Sequence, residues 1–425
     1  MAFQLRTITF DHDVTQAATS ALNIRRNKDF EVLIPEFDAS QPRPATQQCA
    51  AYALDATHTH AVFVRCTFAR AVGDGASWDV RATGGGVMGQ LGAQDVNFAD
   101  AAMSASADVM LSHRAFNAVG RHVITWQWEY RHKGSKRWHA LTPTSHCIYL
   151  LLSVPPAPWS QTFADRHNPW TELLDHSCVI ASGKSNQIGA AIAHVKAINA
   201  NYALRYDIVH GAHRYGFRIT GNAFEMTNWI EYVLNQNLPG SPIFCMGSGE
   251  AYRNYQIVNC YDCAAGLALM SKSVGASLDY YFHRPFGYLN YVIPIGRGKC
   301  NNPFYGCTSN DPTRGVDDDT RSRFGNHAYT KLAGRNNFDA CMKRWLSWIE
   351  ELVLSVIMFI VWLLLLIFSL GSINRMDLLE RAYGWLVNLA QPNYNNVTID
   401  TSTVAEVSAA SGGHPVAQVL DIRVT

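Results

Sequence analysis

The sequence is short of charge: only 16% of its residues are Asp, Glu, Lys or Arg, and 35 basic residues stand against 34 acidic ones. A chain with no net field has nothing to gather nucleic acid or to steer an acidic substrate, so no nucleic-acid partner is expected. Met1 to Asp13 lacks a basic start followed by an apolar run, so no cleaved signal peptide is expected and any secretion would take a route independent of one. The ten cysteines are scattered over 425 residues, which excludes a small disulfide scaffold and suits synthesis in a reducing compartment. Only Cys260 and Cys263 sit close together. A four-ligand zinc site needs a second tight pair, and Cys300 and Cys307 are too widely spaced to supply it. No metal and no cofactor are expected.

Apolar material is plentiful. Hydrophobic residues make up 48% of a chain that exceeds the usual size of one core, so a multidomain protein is expected. Residues 1–155 read as an all-β sandwich, immunoglobulin-like, because short β-rich or alternating runs recur between Gly, Asp and Asn. Examples are His60 to Phe68, Trp78 to Ala82, Val123 to Tyr130 and His146 to Ser153. Trp126, Trp128 and Tyr130 fall on one side of their strand, since side chains alternate with period two. Such a row suits a packed core better than a sugar or peptide site. The prolines of Val154 to Trp159 cannot continue a helix or pair in a central strand, and mark the boundary.

Residues 160–345 turn helical and then extended, the order of an α+β domain. Ile188, Ile192, Val195 and Ile198 form one stripe, Glu225 to Leu234 reads as a short helix, and Cys260 to Val274 as a third. Leu289 to Ile295 and Ala328 to Leu332 read as strands. Residues 346–390 comprise a hydrophobic helix and an amphipathic one. Leu352 to Leu370 holds no charge and at about 1.5 Å per residue reaches about 28 Å, close to a bilayer core. Membrane association through a single hydrophobic span is therefore expected, with Met376 to Leu389 lying along the interface. Residues 391–425 form a β-like tail, with runs at Val397 to Val404 and Val416 to Val424, able to complete the second domain's sheet. In that case a single crossing is excluded, and the apolar helix must re-enter, lie in the interface or pack on a partner.

A nucleophilic thiol is favoured at a helix N-terminus and beside an imidazolium, both of which stabilise negative charge. Cys260 follows the extended Val258-Asn259 and opens the helical run Cys260 to Met270, so the helix-tip N–H groups could also hold an oxyanion. His327, at the head of a short β run, is the candidate base, and Asp339 the carboxylate that orients it. Asp262 suits a cap of its own helix better than catalysis, and Cys263 suits packing. His213 and His283 are read as structural.

Those residues resemble a known family. Cys260-Tyr-Asp-Cys-Ala264 with Gly275 is similar to the transglutaminase-like signature Cys-x-Asp-x-Ala closed by a glycine. Asn326-His-Ala-Tyr329 is similar to that family's His-Ala-aromatic strand, and Phe338-Asp-Ala-Cys341 to its aromatic-Asp strand. The resemblance covers about Trp170 to Lys343. It implies a papain-related α+β fold and a Cys260, His327, Asp339 triad, acting through an acyl-enzyme on a protein or peptide amide. Proteolysis, glutamine deamidation and amine cross-linking share that intermediate. The family's upstream oxyanion tryptophan has no matching motif, although Trp229 lies in the right region. The long stretch holding Cys300 to Cys307 and Asp311 to Asp319 departs from the pattern and is read as a lid or specificity loop.

Three functions stay open: a membrane-associated thiol hydrolase or acyltransferase, a secreted bacterial toxin or effector using the same triad with an immunity or chaperone partner, and a catalytically inactive interaction protein.

Overall fold

The protein is seen in a computed structural model that describes residues 3–10, 21–54, 63–72, 74–99, 102–112, 116–215, 223–235, 255–284, 286–333, 336–344, 355–357, 360, 416–420 and 423–424. Two compact units divide it: Met1–Ser185 with Ser273–Gly275, and Asn186–Lys272 with Ala276–Thr425.

The first unit is built from strands β1 (Gln4–Phe10), β2 (Phe37–Asp38), β3 (Cys49–Ala53), β4 (Phe63–Ala69), β5 (Ser77–Gly84), β6 (Gln90–Asn97), β7 (Ser104–Ser112), β8 (Gly120–His132), β9 (His139–Ala140) and β10 (Thr144–Leu151). Alternation drives them, as in β4, where Val64, Cys66 and Phe68 are buried and Phe63 and Arg65 are exposed. Trp126 and Trp128 of β8 are fully buried, so their row is core.

An immunoglobulin-like sandwich of two antiparallel sheets is not what forms. The strands run as one hydrogen-bonded path, β2-β1-β4-β7-β6-β5-β8-β10-β3, with β9 on β8, and β3 pairs parallel with β10. This sheet curls back on itself: Phe10 of β1 reaches Trp126 of β8 (6.2 Å between ring centroids) and His146 of β10 (5.2 Å). Alternation specifies a buried face without specifying whether two sheets or one curled sheet provides it. Helix α1 (Thr171–Ile180) belongs to this unit, which therefore extends past the prolines. Its Asp175 accepts from Arg121 of β8 (2.6 Å) and Tyr149 of β10 (2.7 Å).

The second unit contains α2 (Gln187–Ala200), β11 (Arg205–Tyr206), β12 (Ala223–Phe224), α3 (Met226–Trp229), β13 (Ile257–Val258) and α4 (Cys260–Ser273). β14 (Leu278–Arg284), β15 (Val292–Pro294), α5 (Tyr305–Thr308), β16 (His327–Leu332), β17 (Asn336–Phe338), β18 (Met342–Arg344), β19 (Val416–Leu420) and β20 (Arg423–Val424) follow. α3 continues as a π-helical turn over Ile230–Leu234. Asn186 caps α2 by accepting from the Gly189 N–H (3.0 Å). Buried His194 of α2 meets Ser271 of α4 at 3.0 Å. Gly275, at φ +85°, follows α4 in the left-handed conformation suited to a helix end.

The main sheet of this unit has the order β17-β16-β14-β19. β19 comes from the tail and pairs antiparallel with β14, Tyr281 opposite Val419, while β20 pairs parallel with β12. Chain on both sides of Leu352 to Leu370 thus shares one sheet. Most of Leu352 to Leu370, together with Met376 to Leu389, Val397 to Val404 and the start of the His60 to Phe68 run, lies outside the described residues. Among the described residues no helix is long and apolar enough to cross a membrane.

Candidate active site

Cys260 owes its position to the chain on either side of it. β13 pairs parallel with β11, Val258 opposite Tyr206, and the helix starts two residues later. Asn259 caps that helix: its side-chain oxygen accepts from the N–H groups of Tyr261 (3.0 Å) and Asp262 (3.2 Å), and its carbonyl from Cys263 (3.2 Å). Asp262 answers by accepting from the Asn259 N–H (3.1 Å), which completes a reciprocal capping box. The same carboxylate accepts from the backbone of Arg214 (3.0 Å) and Tyr215 (2.9 Å). Burial pushes the Asp262 carboxyl up to about 6, while those backbone donors pull the other way.

This cap revises the expectation for the helix tip. Two of the first amides are spent on Asn259, so only the Cys260 N–H is left without an acceptor among the described residues. Trp229 does not sit at the tip. Its buried ring lies against Gly266, where an added Cβ would meet Cζ2 at 2.8 Å, six residues further along the helix.

His327 is the first residue of β16, held in register opposite His283 on β14. β17 pairs with the same strand, Phe338 opposite Thr330, and Asp339 follows directly. The Asp339 carboxylate is fixed at both oxygens: Oδ1 accepts from the N–H groups of Cys341 (2.8 Å) and Met342 (2.9 Å), and Oδ2 faces His327 Nε2 at 2.7 Å. Nε2 is engaged by Asp339, and the Cys260 sulfur is close enough to the ring to help raise it, although the buried Nδ1 makes no hydrogen bond in this structure. The three residues that the motifs single out are therefore brought to one point.

Burial alone would lower the His327 imidazole, which is fully enclosed. The negative charge and hydrogen bond of Asp339, and behind them Cys260, outweigh that cost and raise it to about 10. Phe286 (4.9 Å) and Phe324 (5.7 Å) wall the ring and keep water from weakening the pair. Cys263, one turn behind Cys260, is enclosed and raised by burial, with Cys341 as its hydrogen-bond neighbour. His283 accounts for itself structurally, its Nδ1 lying 3.2 Å from the Tyr329 hydroxyl.

Comparison with known proteins adds little. A solved transglutaminase structure from red sea bream is similar over 63% of this chain and 45% of its own, with 8% identity and a TM-score of 0.27. This chain thus spans under half the length of that protein. No family model matches, and no curated protein does. So low a score leaves the site to be argued from the chain itself.

Residues other than the three motif-assigned ones also shape the site. Phe286 and Phe324 enclose the base, and the Tyr261 hydroxyl donates to the Asn326 side-chain oxygen. No local pattern marks the two phenylalanines, and Tyr261 and Asn326 fall inside the motif runs without a role that the motifs specify. Each matters only through a contact between distant segments.

Proposed function

We propose that the second unit is a thiol enzyme of transglutaminase-like chemistry that forms an acyl-enzyme on a protein or peptide amide. The observation that carries the reading is the His327 imidazole held between the Asp339 carboxylate (2.7 Å) and the Cys260 sulfur. An imidazolium beside a thiolate, formed when His327 takes the Cys260 proton, is the arrangement in which cysteine serves as a nucleophile. The sulfur adds to the amide carbonyl, and the Cys260 N–H is available to the oxyanion that develops. His327 then passes its proton to the departing amine while the C–N bond breaks. Asp339 keeps the ring oriented throughout and stabilises its charge. Water or a lysine amine releases the acyl group, giving hydrolysis, deamidation or cross-linking.

A second reading, an inactive interaction protein on the same scaffold, is favoured by one observation: Cys260 is 3% exposed and His327 is fully enclosed. Site-resolved labelling of the full-length protein with iodoacetamide near neutral pH decides between them. The enzyme reading requires Cys260 to label ahead of the exposed Cys307. Labelling of Cys307 first, with Cys260 inert, supports the inactive protein.

We also propose that Leu352 to Leu370 contacts a membrane as an interfacial or re-entrant helix. The pairing of β19 with β14 supports this form over a single crossing. Flotation of the full-length protein with liposomes, compared with a chain lacking those residues, tests it; equal flotation would count against it.

A further inference from the structure

We infer that Tyr261 and Asn326 are positioning residues, a latch that joins the neighbour of the nucleophile to the neighbour of the base and so sets the approach of Cys260 to His327. The inference rests on the thiol-enzyme reading above and extends it to residues that take no part in the chemistry. Cys260 and His327 come from different elements, a helix tip and a strand end. The covalent chain does little to hold them in register, since Tyr261 and Asn326 are 65 residues apart. A hydrogen bond between their side chains closes that gap one residue from each reacting group.

Two anchors define the Tyr261 side chain. Its ring stacks on Phe282 of β14 (centroids 5.8 Å apart, planes at 22°), and Phe282 lies opposite Ala328, the residue after His327. Its hydroxyl donates to Asn326, the residue before His327. The helix tip is thereby held to the base strand on both sides of the imidazole. Proton transfer and ion pairing between sulfur and ring are steep functions of separation, and a displacement of about 1 Å can cost about 100-fold in rate. Hydrogen bonding at this point therefore acts on reactivity far more than on folding. The other charged or titratable groups near Tyr261 include Cys260 beside it, His213, with its ring 6.4 Å away, Tyr280 and Arg284.

The test uses full-length protein, with Tyr261→Phe, Asn326→Ala and the double variant beside His327→Ala. Tyr261→Phe keeps the ring on Phe282 and removes only the hydroxyl, so it should fold. Iodoacetamide alkylation of Cys260 is followed by mass spectrometry from about pH 6 to about pH 10, alongside thermal unfolding. Each single variant is expected to slow alkylation about tenfold near pH 6.5 and to converge on the wild-type rate at the alkaline end, where thiols ionise unaided. The double variant should be no slower than either single one, because both remove the same bond. The inference is overturned if His327→Ala changes the profile and the latch variants do not, or if their slowing is additive. It is equally overturned if their slowing only tracks a fall in unfolding temperature. A profile unmoved even by His327→Ala would defeat the thiol-enzyme reading itself, a distinct outcome.

Discussion

Nε2 of His327 and Oδ2 of Asp339 lie 2.7 Å apart with both side chains buried, His327 at the head of β16 and Asp339 directly after β17, the strand paired antiparallel with it. A buried charge pair contributes through its partner, and removing one member leaves the other uncompensated. Asp339→Asn preserves shape and removes the charge. We expect that variant to slow Cys260 alkylation near neutral pH at least tenfold, a barrier increase of about 1.4 kcal/mol or more. Rates equal to wild type would detach Asp339 from the site.

The same pair sets a pH dependence of stability. The His327 imidazole is raised in the folded protein to about 10, from about 6.5 in an unfolded chain. The folded state thus holds its proton more tightly. That contribution is complete below about pH 6.5 and is lost as pH rises through about 10. Urea unfolding of wild type and His327→Gln across that window should show the stability gap narrowing with rising pH. A gap that widens would reverse the sign.

Asp262 stabilises the helix tip by accepting from the N–H groups of Asn259, Arg214 and Tyr215. Asp262→Ala strands those donors in a buried place and is expected to cost about 2–4 kcal/mol in urea unfolding. Asp262→Asn, which keeps an acceptor oxygen, should recover part of that loss. An unchanged midpoint for the alanine variant would mean that water reaches the donors.

Gly266 is needed for close approach. Any Cβ there would press on the Trp229 ring at 2.8 Å, and Trp229 is fully buried with Tyr215 (4.9 Å) and Phe224 (5.6 Å) around it. Gly266→Ala should destabilise by about 1–3 kcal/mol, against the small gain alanine normally brings to a helix. Thermal unfolding that rises instead would show that the ring can retreat.

Much of this architecture is legible in the sequence because it is local. The small residues after Cys260, the alternation of β4 and the β run after His327 each depend on neighbours a few positions away. Asp262 as a cap is equally local, a matter of helix-tip chemistry. What resists reading is long-range. The curl of the first sheet depends on Phe10 finding Trp126 and His146, and the parallel β3–β10 pair on a register that alternation leaves open. Asn259 consumes helix-tip amides that composition alone leaves free. Likewise the hydrogen bond from Tyr261 to Asn326, and the seat of Trp229 on Gly266, arise only when distant segments meet.

The most direct measurement is an NMR titration of the His327 ring nitrogens in the intact protein. Both nitrogens are expected to stay protonated to well above about pH 8, with titration near about 10, moving down in Asp339→Asn. A ring that is already neutral at about pH 8, titrates near about 6.5 and ignores the loss of the Asp339 charge would contradict this expectation.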